Sequence, residues 1–168
     1  NSTAAVTVNL TTNANTGGYA QGDVLSGIEN ITGSAHNDRL TGDAGANVIS
    51  GGGGDDILAG LGGADVLDGG SGSNTADYSA SGAGVAANLA SFSVGSAYGV
   101  VGTGGHGGDA EGDTYVNIQN LIGSIYADTL VAGATGGSLA GGAGDDILIA
   151  NSGADIIDGG SGSDQVYY

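Results

Sequence analysis

Hydrophobic and polar positions recur along this chain with a spacing of nine. From Gly33 the sequence divides without gaps into GSAHNDRLT, GDAGANVIS, GGGGDDILA, GLGGADVLD and GGSGSNTAD, ending at Asp77. From Gly123 it divides again into GSIYADTLV, AGATGGSLA, GGAGDDILI, ANSGADIID and GGSGSDQVY, ending at Tyr167. The eighth position of the unit is apolar: Leu40, Ile49, Leu58, Leu67 and Ala76, then Leu130, Leu139, Leu148, Ile157 and Val166. The sixth is an acid or its amide, at Asp38, Asn47, Asp56, Asp65, Asn74, Asp128, Asp146, Asp155 and Asp164, with Gly137 the departure. Glycine favours the first, second and fourth positions, where it tolerates positive φ and close approach of another chain. The first six residues of a unit are therefore predicted to turn, and the last three to form a short strand. Strand side chains alternate between faces, so the eighth residue points one way while the seventh and ninth point the other. Two units make one coil of 18 residues, and stacked coils form two parallel sheets with the eighth-position row between them. The expected fold is thus all-β, a parallel β-roll or β-solenoid, and helix is disfavoured by the density of glycine. Val48, Ile57, Val66, Ile147 and Ile156, at the seventh position, face outward, either as strand formers partly covered by flanking segments or as a lateral contact surface.

A larger duplication encloses the nonapeptides. GDVLSGIENITGS from Gly22 aligns with GDTYVNIQNLIGS from Gly112 at an offset of 90 residues, and VTVNL from Val6 resembles VAANL from Val85 at an offset of 79. The second copy therefore carries an insertion of 11 residues near Ser96 to Gly112. Two modules are expected: residues 1–77, with a flanking segment 1–32 and nonapeptides 33–77, and residues 78–168, with a flanking segment 78–122 and nonapeptides 123–167.

Charge narrows the function. The 168 residues include 18 acids and one strong cation, Arg39, for a formal net charge of -17. Such a surface neutralises no phosphates, so nucleic acid and anionic lipid are both excluded as partners, and no apolar run is long enough for membrane insertion. There is no Cys, hence neither a disulfide framework nor a thiolate metal site. No signal-peptide pattern is present and Asn1 is not an initiating Met, so the chain reads as a soluble piece of a longer one. No catalytic constellation stands apart from the repeats, and His36 and His106 read as incidental, so no enzyme activity is expected of these residues.

The acids are phase-locked, 13 of the 18 lying within the two nonapeptide arrays. Coil stacking brings each sixth-position carboxylate beside its equivalent 18 residues on: Asp38 with Asp56, Asn47 with Asp65, Asp56 with Asn74, Asp128 with Asp146, and Asp146 with Asp164. Left bare, these rows repel, and a cation between them removes the repulsion. Carboxylate and carbonyl oxygens in a flexible cage suit calcium, whereas magnesium demands tighter octahedral geometry and zinc prefers nitrogen or sulfur.

GGGGDDILA at Gly51 and GGAGDDILI at Gly141 match the pattern G-G-x-G-x-D-x-U-x, and the chain resembles the RTX calcium-binding β-roll family on that motif, five tandem units twice over. The resemblance implies export by type I secretion, folding outside the cell on meeting calcium, and a secreted, extracellular or cell-surface location. It also implies a ligand rule. One turn supplies carbonyls at positions two and four and the sixth side chain, and the facing turn 18 residues on supplies carbonyls at one and three and its own sixth side chain. Carried onto the first array, the rule groups Ser34, His36 and Asp38 with Gly51, Gly53 and Asp56. It groups Asp43, Gly45 and Asn47 with Gly60, Gly62 and Asp65, and then Gly52, Gly54 and Asp56 with Gly69, Ser71 and Asn74. In the second array it groups Ser124, Tyr126 and Asp128 with Gly141, Ala143 and Asp146. There follow Gly133, Thr135 and Gly137 with Ala150, Ser152 and Asp155, and Gly142, Gly144 and Asp146 with Gly159, Ser161 and Asp164. Gly137 offers no side-chain ligand, so its site is expected to be weak or empty, and about four to six calcium ions are expected in all. His36 and Tyr126 stand where the family has Gly, which marks the first turn of each array.

Three function classes follow. The first is a calcium-gated structural module of a secreted adhesin, surface-layer or matrix protein, with further copies of itself or cell-surface polysaccharide as possible partners. The second is a non-catalytic region attached to a secreted protease, lipase, glycan hydrolase or alginate epimerase. The third, an ice-binding roll, needs a regular Thr/Asn array at turn positions three and five, and the residues there (Ala35/Asn37, Ala44/Ala46, Gly53/Asp55) form none.

Overall fold

The computed structural model describes residues 2–91 and 103–168. Its strands begin with β1 (Thr7–Asn9), β2 (Asn30–Thr32), β3 (Arg39–Thr41), β4 (Val48–Ser50), β5 (Ile57–Ala59), β6 (Val66–Asp68), β7 (Thr75–Asp77) and β8 (Ala86–Asn88). They continue with β9 (Gly104–His106), β10 (Thr114–Val116), β11 (Asn120–Ile122), β12 (Thr129–Val131), β13 (Gly137–Ala143), β14 (Ile147–Ile149), β15 (Asp155–Ser161) and β16 (Gln165–Tyr167). In both arrays a strand covers positions seven to nine of each unit, because glycine and Asx residues turn the chain just before them.

Within each array successive strands alternate between facing sheets. One sheet has seven strands in the order β1-β3-β5-β7-β11-β13-β15; facing it are β10-β6-β4-β2 and β16-β14-β12-β8-β9. Partners lie 18 residues apart, as in Arg39 with Ile57, Val48 with Val66, and Ile147 with Gln165, and these pairs are parallel. The architecture is a parallel β-roll. Leu40, Ile49, Leu58, Leu67, Ala76, Leu130, Leu139 and Leu148 are buried between the sheets, each large aliphatic side chain contributing about 1.5–3 kcal/mol. Ile157 is only partly buried, and Val166 is exposed, because they belong to the last rung.

The flanking segments cover the rungs that begin each array. β1 pairs with β3, and the Val6 N–H donates to Asp38 Oδ1 at 2.7 Å; β8 pairs with β12, and the Val85 N–H donates to Asp128 Oδ1 at 2.7 Å. The expected insertion near Ser96 to Gly112 lies outside the described residues as far as residue 102; beyond it β9 pairs antiparallel with β8.

One array stacks on the other. β11 lies between β7 and β13, while β10 extends the sheet of β6. Two side chains from GDTYVNIQN close the joint, since the Asp65 N–H donates to Asp113 Oδ1 and the Asn74 N–H to Gln119 Oε1, each at 2.8 Å. Beneath it the Tyr78 hydroxyl donates to Asp113 Oδ2 at 2.7 Å and lies 2.7 Å from the Tyr115 hydroxyl. Burial pushes the Asp113 carboxyl up to about 6, against the opposing pull of the Tyr78 hydroxyl and the Asp65 N–H. A folded pKa above the unfolded value of about 3.9 means that this group's stability contribution is complete below about pH 4 and lost as pH rises through about 6. Asp113→Asn is therefore expected to gain stability relative to the parent chain when urea midpoints at fixed saturating calcium are compared above and below that window.

Candidate metal centre

The turns bring oxygen atoms together through two features of the nonapeptide. Position-two and position-four glycines take positive φ, 102° at Gly52 and 104° at Gly54 in the first array and 105° at Gly142 and 118° at Gly144 in the second. That conformation lets each turn lie flat against the next: the Ser34 carbonyl accepts the Gly53 N–H at 3.2 Å and the Gly52 carbonyl accepts the Ser71 N–H at 3.0 Å. In the second array the Ser124 carbonyl accepts the Ala143 N–H at 3.3 Å. A carbonyl oxygen has two lone pairs, so these acceptors keep one available.

The sixth-position side chains Asp38, Asn47, Asp56, Asp65, Asn74, Asp128 and Asp146 are all buried. One oxygen of each rung-to-rung partner is occupied by backbone. The Asp38 N–H donates to Asp56 Oδ1 at 2.8 Å, Asn47 to Asp65 at 2.7 Å, and Asp56 to Asn74 at 3.0 Å. In the second array Asp128 donates to Asp146 at 2.8 Å and Asp146 to Asp164 at 3.1 Å. The second oxygen differs: Asp56 Oδ2, Asp65 Oδ2 and Asp146 Oδ2 are buried with no hydrogen-bond partner, as is Asp155 Oδ1. Leaving a buried acceptor unpaired costs about 1–3 kcal/mol, and more when it is charged. Burial pushes the carboxyls of Asp56, Asp65, Asp128 and Asp146 up from the usual range.

The free oxygens face a gap that only glycine leaves. A Cβ on Gly51 would overlap Asp56 Oδ2 and lie 2.7 Å from the Gly69 carbonyl oxygen; one on Gly141 would overlap Asp146 Oδ2 and lie 2.6 Å from the Gly159 oxygen. Gly33 and Gly123 stand in the same relation to Asp38 with Gly51 and to Asp128 with Gly141, and Gly42 to Asn47 with Gly60. Each gap is thus bordered by a sixth-position side chain of one turn and the first-position carbonyl of the turn 18 residues on. No three His, Asp or Glu side chains gather at one point among the described residues. Carboxylate oxygens supplemented by carbonyls, with little charge per gap, match the hard oxygen ligation of calcium and not the nitrogen or sulfur that zinc selects.

The gaps are unequal. In the first rung of each array the carboxylate is already engaged, because the Ser34 N–H and hydroxyl donate to Asp38, and the Ser124 N–H and hydroxyl donate to Asp128. The Asp43 N–H donates to Asn47 Oδ1 at 2.9 Å, and the Gly45 N–H donates to Asp43 Oδ1 at 2.8 Å. Gly137 lies in β13 opposite Asp155, whose Oδ2 accepts the Asn151 N–H at 3.2 Å. The side chains of His36 and Tyr126 are exposed, so only their backbone atoms bear on the turn.

The sequence pattern characteristic of the family described as RTX calcium-binding nonapeptide repeat (4 copies) matches residues 23–58, 41–76 and 136–166, more than half of the chain. The chain belongs to that family. No curated protein matches it. The RTX motif thus supplies the orphaned oxygens, and the glycines keep the space before them open. Gly141→Ala is expected to raise the calcium concentration at the folding midpoint, followed by circular dichroism, because the added methyl occupies the gap before Asp146. Gly82→Ala, with no atom within 4 Å of the added methyl, is expected to leave it unchanged.

Sequence reasoning missed Asp113, Gln119, Val6 and Val85 as members of the hydrogen-bonded rows. Asp113 does for Asp65 what a sixth-position side chain does elsewhere, but it stands 48 residues away and outside the nonapeptide register. The repeated GD-x-x-x-I-x-N string was the available signal.

Proposed function

We propose that this RTX chain is the calcium-gated structural module of a secreted or cell-surface bacterial protein of the adhesin, surface-layer or matrix type. The observation that carries the reading is the set of buried, unpartnered carboxylate oxygens at Asp56, Asp65 and Asp146, those of Asp56 and Asp146 facing a gap bordered by a carbonyl of the next stacked turn. A chain of formal charge -17 with Arg39 as its one strong cation, itself paired with Asp77 at 2.8 Å, has no internal means of neutralising those rows. Six bound calcium ions would take that charge to about -5 and remove most of the self-repulsion. The cytosol, at sub-micromolar calcium, would then hold the chain open for export, and extracellular calcium would close it. Limited proteolysis at the two calcium levels tests this. Resistance is expected only at the extracellular level, and equal resistance at both contradicts the gating.

A further inference from the structure

The duplication places one region of the roll on the molecule twice, and the two copies differ there. In the second copy Ala90 and Val131 are 3 % and 1 % exposed and pack with Ala86 and Ile149 into a buried apolar patch on the outer side of β8, β12 and β14. The counterparts of Ala90 and Val131 in the first copy are Thr11 and Thr41, at offsets of 79 and 90 residues. There the patch gives way to an open groove of about 280 Å³ that crosses the outer side of β1, β3, β5 and β7. Two residues give the groove its character. Arg39, the one strong cation of the chain, stands where the second copy has Thr129, and its guanidinium donates to Asp77 Oδ2 at 2.8 Å while remaining 51 % exposed. Leu61 lines the groove with a φ of 66°, in the region that Gly52 and Gly70 occupy at the same position of their own units. A branched aliphatic residue rarely adopts that conformation, and strain of this kind concentrates at binding sites.

We infer that this groove binds the terminal ring of a neutral saccharide. Donors and acceptors stand side by side in it, as vicinal hydroxyls require, because each hydroxyl both donates and accepts. Arg39 spends one of its five donors on Asp77, and the Asp77 side chain, 6 % exposed, takes the Arg39 guanidinium on Oδ2 and the Ser79 N–H on Oδ1, which leaves each oxygen a further lone pair. The Thr11 hydroxyl donates to the Gly42 carbonyl at 3.2 Å and so presents its lone pairs, whereas Thr12 Oγ1 accepts the Ala14 N–H at 3.3 Å and so presents its proton. Ala59, Leu61 and Ala80 supply apolar wall for the carbon face of a ring. The size lies at the lower end of small-ligand pockets, about 300–1,000 Å³, which suits a ring and not a long chain. Charge selects a neutral ligand: Arg39 opposes a cation, while Asp77 cancels Arg39 and the field of a chain with formal charge -17 opposes an anion.

The groove exists only in the closed roll, so the inference rests on the calcium-gated reading, and its test is made in saturating calcium with the β spectrum verified for every variant. Amide proton–nitrogen NMR spectra are recorded as methyl glucoside, methyl galactoside or methyl mannoside is added, and again with glucuronate and galacturonate at the same free calcium. At least one neutral glycoside is expected to shift the amides of Thr11, Thr12, Arg39, Leu61 and Ser79 with a dissociation constant of about 1 mM, and to leave Ala90 and Val131 unmoved. Leu61→Gly restores the residue that Gly52 and Gly70 provide at this position, so it is expected to fold at no higher calcium than the parent and yet to bind the sugar about five-fold more weakly. Arg39→Gln is expected to weaken binding more than ten-fold, and Val48→Lys, on the opposite sheet, to leave it unchanged. No shift by any neutral glycoside up to about 50 mM overturns the inference and leaves the calcium gating intact. Uronates that bind as tightly as the neutral sugars overturn it too, as do shifts centred outside the groove or a Leu61→Gly affinity equal to the parent's. A chain without a β spectrum in saturating calcium contradicts both readings.

Discussion

Asp146→Ala is expected to raise the calcium concentration needed for folding more than the same change at Asp128 or Asp164, and Asp56→Ala more than the same change at Asp38. Asp146 takes part in two consecutive rungs: its Oδ1 accepts the Asp128 N–H, its own N–H donates to Asp164 Oδ1, and its Oδ2 is buried without a partner beside the Gly159 carbonyl. Asp56 is placed identically between Asp38 and Asn74. At a calcium concentration ten times the dissociation constant, one site adds about 1.4 kcal/mol by mass action, so losing two removes about 3 kcal/mol. Loss of the ladder hydrogen bond adds about 1 kcal/mol. Against a typical domain stability of about 5–15 kcal/mol, that is a large fraction. Asp146→Asn separates the contributions, because an amide oxygen still accepts the Asp128 N–H, as Asn74 does for Asp56. In calcium the Asn variant is expected to fall between the parent chain and the Ala variant. In EGTA the order reverses: removing a buried charge that has no partner makes the Asn variant at least as structured as the parent. Calcium titrations followed by circular dichroism read both results, and an Asp146→Ala midpoint equal to that of the parent would refute the shared-ligand assignment.

The rows of the roll were legible in the sequence because each is a single residue type at a fixed period. Leu40, Leu58, Leu130 and Leu148 had to point inward once strands occupied positions seven to nine, and Asp38 and Asp56 had to meet once coils of 18 residues stacked. The ends were not legible. Val6 and Val85 reach Asp38 and Asp128 through backbone N–H groups, which carry no side-chain signature. The joint depends on spacings of 45 and 48 residues, Asn74 to Gln119 and Asp65 to Asp113, that occur once each and so generate no period. Position two, which the repeat pattern does not single out, separates an engaged carboxylate from an orphaned one. Asp128 has Ser124 at position two to donate to it, whereas Asp146 has Gly142 there and its Oδ2 is left facing the gap.

Removing calcium is expected to have the largest effect of all. The roll has no disulfide and, among the described residues, no α-helix; its core is the Leu/Ile row with Tyr78 and small side chains, while the second oxygens of the buried acids Asp56, Asp65 and Asp146 lack partners. Binding free energy in such a site is folding free energy, because the unfolded chain offers no preformed cage. The direct measurement is the far-ultraviolet circular dichroism of the 168-residue chain as calcium is raised from an EGTA-buffered solution. A disordered spectrum in EGTA that converts to a β spectrum at about 10⁻⁴ to 10⁻³ M calcium is the expected result. A β spectrum already complete in EGTA would contradict the claim that ions between the turns hold the roll together.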